Sequence, residues 1–449
     1  MVRPNCFKGQ RTRGTVHKLR KAPTTRAALA LFSGAVFAVG LAQPPASASG
    51  PANAAPSAAQ PSCGWPVVVG ASNYNHFFPD SAAAYWGQPF VAGPSTSITI
   101  TGTYPDSRYF ALSVYTPYGA PFSVNGVGAS LPDYRVAPEQ GSVNPWQHRA
   151  APGGSYRVTV RWAVAPGEPN VLPLPPGTSA AHPGFLEYRV YLPANGGFSR
   201  LVPPAVTLAR GSVSRTLPAC RTHVPVPTPA KAPGATTPPA PKVPPPPGAL
   251  YKPRGVYGGL GPDPDTAYVW AYFLRPAPTD VLVVSAKAPT FPAGSGPSPW
   301  PEPGEDVQYW SMCIAVGTST VPTVANRLAG GQVDYGCRAD EATKLNAAGY
   351  YSYVIGSEAE RAAISRVAGA TFLPFSSTQT TPLGRPWPLY LLLLRNVLVN
   401  PHFKHSVQKV TQMEDAPAAA AAMGRYYPRL STCPLVTLTT KGLSACETH

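Results

Sequence analysis

Two stretches with the same order of residues decide the fold: FFPDSAAAYWGQPF at 77–90 and GPDPDTAYVWAYF at 261–273. Each carries an aspartate, a tyrosine five positions later and a phenylalanine five positions after that. The matching residues are Asp80, Tyr85 and Phe90 in the first stretch, and Asp263, Tyr268 and Phe273 in the second. A pattern repeated at this distance predicts an internal duplication.

The match continues along the chain in one order. The further pairs are 96–105 with 279–289, 107–119 with 307–318, Asp133-Tyr134 with Asp334-Tyr335, 153–160 with 349–356, and 185–193 with 388–399. Most of these blocks are rich in β-branched and aromatic residues and several end at proline, as strands do. We therefore predict a mainly β protein of two related antiparallel β-sandwich lobes, jelly-roll-like in form.

Composition agrees with this fold class. The chain has 59 prolines and 41 glycines in 449 residues, which excludes an ordinary helical bundle, and its 44% hydrophobic content excludes disorder throughout. Two short helices are predicted in the second lobe. Ser357 and Glu360 form a capping box, and Asp415 with Pro417 begins an alanine-rich helix that ends at Gly424.

The predicted organisation has six parts. They are a signal peptide at 1–48, a disordered arm at 49–62, lobe one at 63–220, a proline-rich linker at 221–249, lobe two at 250–430 and a cysteine-bearing tail at 431–449. The linker holds eleven prolines and almost no large apolar side chain, so we expect an extended polyproline II spacer. A ligand for a partner domain that recognises PxxP is the alternative.

The first 48 residues have the features of an export signal. Eight basic residues and no acidic residue precede or flank the apolar run at 27–42, and small residues follow at 46–48. That run would span about 24 Å as a helix, short of the roughly 30 Å hydrocarbon core. We expect cleavage after Ala48, with an uncleaved anchor as the alternative. Removal of the signal would lower the formal charge from +16 to +8 and leave no membrane span.

The remaining cysteines are even in number, as expected for an oxidising compartment. Their positions favour three disulfides: Cys63 with Cys220, Cys313 with Cys337, and Cys433 with Cys446. Zinc binding is disfavoured because the chain has no Cys-x-x-Cys spacing. Calcium is disfavoured because the turn at 262–266 offers only two carboxylates. We expect no metal and no cofactor.

Four motifs carry a resemblance to a known family. DYRVAPEQGSVNPW (133–146), VQYWSMC (307–313), AAGYYSYVIG (347–356) and LLRNVLVNPHF (393–403) resemble motifs of a family of exported, uncharacterised actinobacterial proteins. The resemblance covers most of 64–225 and 250–430. It implies no assigned reaction, cofactor or catalytic residue. It does imply that Cys313 and Cys337 are shared family positions.

Motifs that carry catalysis are missing from the sequence. The chain has no Gly-x-Ser-x-Gly elbow, no His-Glu-x-x-His motif, no phosphate-binding glycine loop and no dinucleotide fingerprint. Asp80 and Asp263 lie in turn sequences, where an aspartate most often caps its own backbone. No catalytic residue is therefore assigned, although a Ser-His-Asp triad needs no local motif.

Candidate ligand contacts are aromatic or imidazole side chains. Trp146, Trp300 and Trp387 occur in proline-rich loops, where we expect exposure, and His76 lies in an aromatic segment just before Asp80. For His76 a structural, hydrogen-bonded role is favoured. In the strand sequences 156–162 and 188–192 apolar side chains alternate with arginine, so we expect the arginines on a solvent face.

The sequence thus predicts a secreted or envelope-associated protein without catalytic activity, a binding module for glycan or cell-wall polymer. Nucleic acid is not an expected partner, because half of the basic excess belongs to the signal segment. A secreted hydrolase with its site in the cleft between the lobes is the alternative. A surface protein with no ligand is a third reading.

Overall fold

A computed structural model describes residues 61–194, 197–225, 248–254, 262–318 and 320–447. The predicted signal peptide, nearly all of the predicted arm and most of the predicted linker lie outside these residues. The described residues within 61–225 form lobe one, and those within 248–447 form lobe two. Both belong to one compact unit of the chain.

Lobe one contains twelve described strands. They are β1 (Val67–Val69), β2 (Ala83–Phe90), β3 (Thr96–Thr103), β4 (Ser107–Tyr115), β5 (Ser123–Val124), β6 (Val127–Gly128), β7 (Ser130–Pro132), β8 (Ser155–Arg161), β9 (Val171–Pro173), β10 (Gly184–Pro193), β11 (Ala205–Arg210) and β12 (Val213–Thr216). Ten of them form two five-stranded sheets, in the orders β1-β2-β10-β4-β7 and β12-β11-β3-β8-β9, and β5 and β6 form a small hairpin.

Lobe two contains ten described strands and three short helices. The strands are β13 (Thr266–Leu274), β14 (Asp280–Lys287), β15 (Val307–Val316), β16 (Ala325–Arg327), β17 (Val333–Tyr335), β18 (Cys337–Ala339), β19 (Tyr350–Gly356), β20 (Ala370–Pro374), β21 (Leu389–Val399) and β22 (Arg429–Pro434). The helices are α1 (Arg361–Ser365), α2 (Ala416–Met423) and α3 (Leu435–Lys441). The main sheets have the orders β13-β21-β15-β18 and β20-β19-β14-β22.

The two lobes repeat one strand order. In the inner sheets β2, β10, β4 and β7 correspond to β13, β21, β15 and β18; in the outer sheets β11, β3, β8 and β9 correspond to β22, β14, β19 and β20. Even the unusual parallel pairing recurs, between β8 and β9 and between β19 and β20. The architecture is mainly β and antiparallel, as predicted, and it is consistent with the expected duplication.

One predicted match between the lobes is wrong. Asp334 lies in β17 of a small hairpin, whereas the residue that corresponds to Asp133 is Asp340. Both Asp133 and Asp340 begin a 3₁₀ turn directly after the edge strand of an inner sheet. Each carboxylate accepts from the backbone amide of the neighbouring strand, Phe110 in lobe one and Trp310 in lobe two. The hairpin of β16 and β17 is inserted before β18, so the sequence match selected Asp334, six positions before Asp340.

The helices agree with their sequence signals and show one that was missed. The Ser357–Glu360 capping box is formed and leads into α1. The Asp415 side chain accepts from the Ala418 amide to cap α2. Helix α3 was not predicted, because 431–449 was taken as a tail. Strand β22 pairs with β14, so this segment is part of lobe two.

The inner sheets are buried on both faces. Every residue of β4 and of β15 is buried, although half of each strand points away from its own sandwich core. The faces of the two inner sheets that point away from their own sandwich cores pack against each other. This contact forms a cluster shared by the lobes, which includes Tyr109, Tyr191, Tyr309 and Val397. Apolar burial on two faces explains why these strands lack the polar alternation of a half-exposed sheet.

All three predicted disulfides are present: Cys63–Cys220, Cys313–Cys337 and Cys433–Cys446. The first closes lobe one across 157 residues of sequence, and the other two lie within lobe two. No helix in the described parts of the chain is long and apolar enough to cross a membrane.

Candidate functional site

The interface between the lobes is built around two exchanged ion pairs. Arg395 of β21 pairs with Asp80 of lobe one, and Arg189 of β10 pairs with Asp263 of lobe two. Arg189 and Arg395 occupy corresponding strands, and so do the turns that carry the aspartates. Each lobe therefore supplies an arginine to the other lobe's aspartate.

Local backbone geometry fixes both aspartates. Asp80 Oδ1 accepts from the Ala82 amide at 2.9 Å, and Asp263 Oδ1 accepts from the Asp265 amide at 3.0 Å. This is the backbone capping that the sequence indicated. The second oxygen of each carboxylate contacts the other lobe, although Asp263 Oδ2 also accepts from the Thr266 hydroxyl of its own lobe at 2.7 Å. Asp80 Oδ2 accepts from Tyr309 at 2.8 Å and from Ser311 at 2.6 Å.

The ionisation of Asp80 follows from these contacts. Complete burial favours the neutral acid, but the Arg395 charge and the donors from Ser311, Ala82 and Tyr309 outweigh it and hold the pKa of Asp80 below its usual range. Breaking this buried ion pair is costly, because Arg395 would remain charged in a site that water does not reach.

A second exchange lies further along the same interface. Arg108 of β4 donates to Asp340 of lobe two at 3.4 Å, and Gln308 of β15 donates to Asp133 of lobe one at 2.9 Å. Burial raises the pKa of Asp340 to about 7, against the lowering effect of Arg108. Burial also raises the pKa of Asp133 well above its usual range, and its lobe-two donor, Gln308, is neutral.

A pocket of about 70 Å³ lies where the exchanged pairs meet. Its wall includes His76 and Tyr85 of lobe one, Tyr268 of lobe two and both arginines of the exchanged pairs. Burial raises the pKa of Glu187, also in the wall, to about 7, and the neighbouring Arg189 only partly offsets this. Burial and the charge of Asp263 raise the pKa of the nearby Asp265 to about 7.

A much larger cavity, about 1260 Å³, opens on lobe one. Apolar wall residues include Trp65, Trp86 and Phe198, and Val202 stands on the rim with 87% of its surface exposed. The wall also includes one residue of lobe two, Tyr335, and polar side chains of lobe one; these are Ser72, Asn73, Ser81, Thr101, Thr103, Ser155, Ser199 and His223. We call this cavity the lobe-one groove.

The corresponding space in lobe two is filled by the chain itself. Residues 400–428, between β21 and β22, carry α2 and place Phe403, Val407 and Met423 in the core of lobe two. The matching segment in lobe one, 194–204 between β10 and β11, is much shorter. A space of about 10 Å³ lies beside Phe403 and Met423. The lobe-one groove is therefore open because the connection between β10 and β11 is too short to occupy it as 400–428 does in lobe two.

Hydrogen bonds at the two positions support this correspondence. Trp65 Nε1 donates to the carbonyl of Pro204, just before β11, at 2.6 Å. In lobe two the Tyr427 hydroxyl, just before β22, donates to the carbonyl of Leu250 at 2.8 Å. Both bonds join the start of a lobe to the entrance of the same outer strand, so the groove and the α2 segment occupy matching places.

The groove has a basic surrounding. Arg200 and Arg221 are exposed, and each is a sequence neighbour of groove residues. The sequence contains no acidic residue between Glu187 and Asp263. This end of lobe one is therefore positive at neutral pH.

Two of the three predicted tryptophan contacts are unavailable. Trp146 is fully buried and Trp300 is 7% exposed, so the expected exposure of these loop residues is wrong. Trp146 packs on Phe110 with ring centroids 5.1 Å apart, and its carbonyl accepts from the Trp300 amide at 2.8 Å. The Trp146 ring packs in the core of lobe one and the Trp300 ring packs in the cluster shared by the lobes, so both rings are removed from water.

The remaining candidates lie apart from each other. Trp387 is half-buried against the core of lobe two. His76 lies in the wall of the inter-lobe pocket, with its ring 4.0 Å from that of Tyr74. Neither of them lines the lobe-one groove.

The arginine at 189 is the main residue that sequence reasoning misplaced. It was expected on a solvent face, but it is 1% exposed because the second face of β10 packs on lobe two. Arg157 of β8, in the outer sheet, does lie on the surface. A signal was available, since Arg395 interrupts an otherwise apolar run at the position that matches Arg189.

One grouping of metal-ligand atoms occurs in the described chain, from Asp80, Cys313 and Cys337. The two sulfurs are joined in a disulfide, which removes them as thiolate ligands. Arg395 contacts both this disulfide and Asp80, at 3.3 Å from Cys313 Sγ. The group is therefore part of the lobe interface.

Comparisons with known proteins leave the function open. No family model matches the chain, and no curated protein matches it. An uncharacterised protein from Burkholderia cenocepacia matches 80% of this chain and 78% of its own at 13% identity, with a TM-score of 0.44. A protein from Vibrio parahaemolyticus matches 80% and 92% at 13% identity, with a TM-score of 0.38.

Proposed function

We propose that this protein is exported and binds a polymer of the cell envelope in the lobe-one groove, without catalysis. The observation that carries the proposal is the difference between the lobes. Lobe two fills the space beside its outer sheet with Phe403 and Met423, whereas lobe one leaves about 1260 Å³ open at the same place. An open, largely apolar groove with a few polar groups in its wall is typical of ligand sites.

The groove wall suits a glycan with negative groups. The partly buried Phe198 and the small accessible parts of Trp65 and Trp86 offer apolar contact for sugar rings, and the hydroxyl and amide side chains offer hydrogen bonds. The exposed Arg200 and Arg221 beside the groove add attraction for anionic groups. This combination supports an anionic wall polysaccharide as the ligand class.

Export rests on the signal-like N-terminus together with the disulfides. Three disulfides are typical of proteins in oxidising compartments. The envelope is where an exported protein first meets wall polymers.

Retention on purified cell wall tests the proposed site. Val202→Asp places a charged side chain on the apolar rim, so we expect binding about tenfold weaker than that of the parent protein, equivalent to roughly 1.4 kcal/mol. Raising the salt concentration is expected to weaken binding of the parent protein as well, because exposed arginines are screened. Co-sedimentation with wall fragments at low and high salt measures both effects.

Val436→Asp is the matched control. Val436 is 67% exposed on α3 of lobe two, away from the groove, and the change adds the same charge. Binding should stay within about twofold of the parent. Equal loss in the two variants, or no retention of the parent protein at low salt, would reject the groove as the binding site.

A hydrolase is the second candidate, favoured by the inter-lobe pocket. That pocket brings His76 near Glu187, a carboxyl whose pKa of about 7 suits proton donation below neutral pH. Against it, Glu187 is held by Arg189 at 2.5 Å in a small space.

Release of soluble sugar from purified cell wall at pH 6 is the assay for this candidate. A hydrolase with Glu187 as its acid should lose about a hundredfold in rate on Glu187→Gln. The binding proposal expects no release above background from either form, and release that disappears in the variant would favour the hydrolase.

A further inference from the structure

One residue in the wall of the lobe-one groove belongs to lobe two. Tyr335 of β17 lines the cavity, whereas the other wall residues all lie within 64–223. It forms part of the hairpin of β16 and β17, where it pairs with Ala325. Tyr335 is half-buried and belongs to neither sandwich core. The groove is therefore a site that lobe two helps to build.

The orientation of Tyr335 is fixed by its neighbour in β17. The Asp334 carboxylate pairs with Arg338 at 2.8 Å and also with Arg361, both of lobe two. Arg338 donates to the Tyr335 carbonyl at 2.6 Å as well, which ties the backbone of β17 to β18. Adjacent side chains of a strand point to opposite faces. Because Asp334 is turned toward the arginines of its own lobe, the Tyr335 ring is turned away from them and toward lobe one.

The lobe-one segment that continues from groove residues 70–73 is bonded to the same part of lobe two. Asn75 Nδ2 donates to the Thr323 carbonyl at 2.8 Å, and the Thr323 amide donates to Asn75 Oδ1 at 2.9 Å. The Phe77 amide donates to the Thr320 carbonyl at 2.8 Å. These bonds hold the loop that leads into β16 against lobe one. The position of Tyr335 relative to the groove is therefore set by the fold.

Tyr335 also differs from the tryptophans of the wall in how much of it a ligand can reach. Trp65 and Trp86 are 4% and 8% exposed, so each offers only a small part of its indole ring. Phe198 of lobe one and Tyr335 of lobe two are half-buried and keep more of their surface accessible. Aromatic side chains supply a large apolar contact area, which suits the C–H groups on the face of a sugar ring.

We propose that Tyr335 packs its ring against a sugar ring of the bound polysaccharide, so that the ligand contacts both lobes. This inference rests on the proposed function and adds a contact residue to the same site. The ligand is then recognised in two ways. Arg200 and Arg221 attract its negative groups, an effect that salt screens, whereas Tyr335 recognises the uncharged face of a sugar, an effect that salt leaves in place.

Titration of the whole purified protein with soluble polysaccharide released from cell wall tests the contact by calorimetry. Tyr335→Ala removes the ring, so we expect about fivefold weaker binding, by the same factor at low and at high salt. Tyr335→Phe keeps the ring and should bind within about twofold of the parent protein. Arg221→Ala gives the electrostatic comparison, with weaker binding than the parent at low salt and nearly equal binding at high salt.

Tyr272→Ala is the matched control on lobe two. Tyr272 of β13 is 41% exposed and does not line the groove, and the change removes the same side chain. Binding by this variant should equal that of the parent. Hydrogen–deuterium exchange of the parent protein adds a measurement that needs no variant. The ligand should slow exchange of amides at 325–335 in lobe two as well as at 64–73 in lobe one.

Two kinds of failure can be told apart. If the parent protein binds no polysaccharide, the proposed function and the Tyr335 contact both fail. If Val202→Asp weakens binding but Tyr335→Ala binds like the parent, and exchange at 325–335 does not change, the groove stands and Tyr335 is no part of it. A loss of affinity that Tyr335→Phe shares with Tyr335→Ala, or that disappears at high salt, would also overturn the packing of this ring on a sugar.

Discussion

Replacing Asp80 by alanine is expected to destabilise the protein by about 3–5 kcal/mol, because it leaves the Arg395 charge buried without its counter-ion. The change also removes the acceptor for the Tyr309 and Ser311 hydroxyls, both of which are buried. Chemical denaturation followed by tryptophan fluorescence measures the loss. Arg395→Met should cost a similar amount, since it leaves the Asp80 carboxylate unpaired.

The double variant separates a pairwise interaction from general damage. Asp80→Ala with Arg395→Met removes both charges, so its cost should fall well short of the sum of the single costs. Arg149→Ala provides the surface control. Arg149 pairs with Glu302 across the same lobes, but its side chain is 80% exposed, and the expected cost is below about 1 kcal/mol. Additive costs at Asp80 and Arg395 would contradict the exchanged ion pair.

Trp146→Ala is the second large effect, at about 3–5 kcal/mol. The ring is fully buried against Tyr104 and Phe110, and its Nε1 donates to the Arg108 carbonyl at 2.9 Å. Removal leaves a cavity in lobe one and an acceptor without its donor beside an interface arginine. Denaturant unfolding measures the change.

A conservative and an exposed variant bracket that prediction. Trp146→Phe keeps most of the packing but loses the hydrogen bond, so about 1–2 kcal/mol is expected. Trp162 is 36% exposed in the same lobe, and Trp162→Ala should cost less than Trp146→Ala by at least 2 kcal/mol. Similar costs at the two tryptophans would show that the loop at 146 is not the buried anchor described above.

Much of the fold could be predicted from local sequence patterns. Alternation of β-branched residues identified β3 and β14, and the capping box identified the start of the turn before α1. The positions of the cysteines were enough for all three pairings. The aspartate–tyrosine spacing located Asp80 and Asp263, which do occupy corresponding places in the two lobes.

Features that arise from lobe pairing could not be predicted in this way. An arginine on an alternating strand looks exposed, yet Arg189 is buried because another lobe covers that face and brings Asp263 to it. The same covering explains the burial of Trp300, whose ring packs in the cluster shared by the lobes, whereas Trp146 is buried in the core of lobe one. Alternation along a strand indicates which side chains share a face with the apolar residues. It does not indicate whether another part of the protein covers the opposite face.

The lobe-one groove could not be predicted from sequence patterns either, for a different reason. An alanine-rich helix at α2 was predicted, but its role as filler of lobe two became evident only when the space could be compared between lobes. Lobe one has the shorter segment at 194–204, and a short loop gives no sequence signal of a cavity. The comparison of the two lobes therefore carries the functional proposal.

Hydrogen–deuterium exchange with and without soluble wall polysaccharide tests the proposed role of the groove most directly. The account predicts slower exchange of amides at 64–73 and 198–206, which line the groove, and unchanged exchange at 402–428, which fills the matching space in lobe two. Protection confined to lobe two, or no protection at saturating polysaccharide, would contradict it.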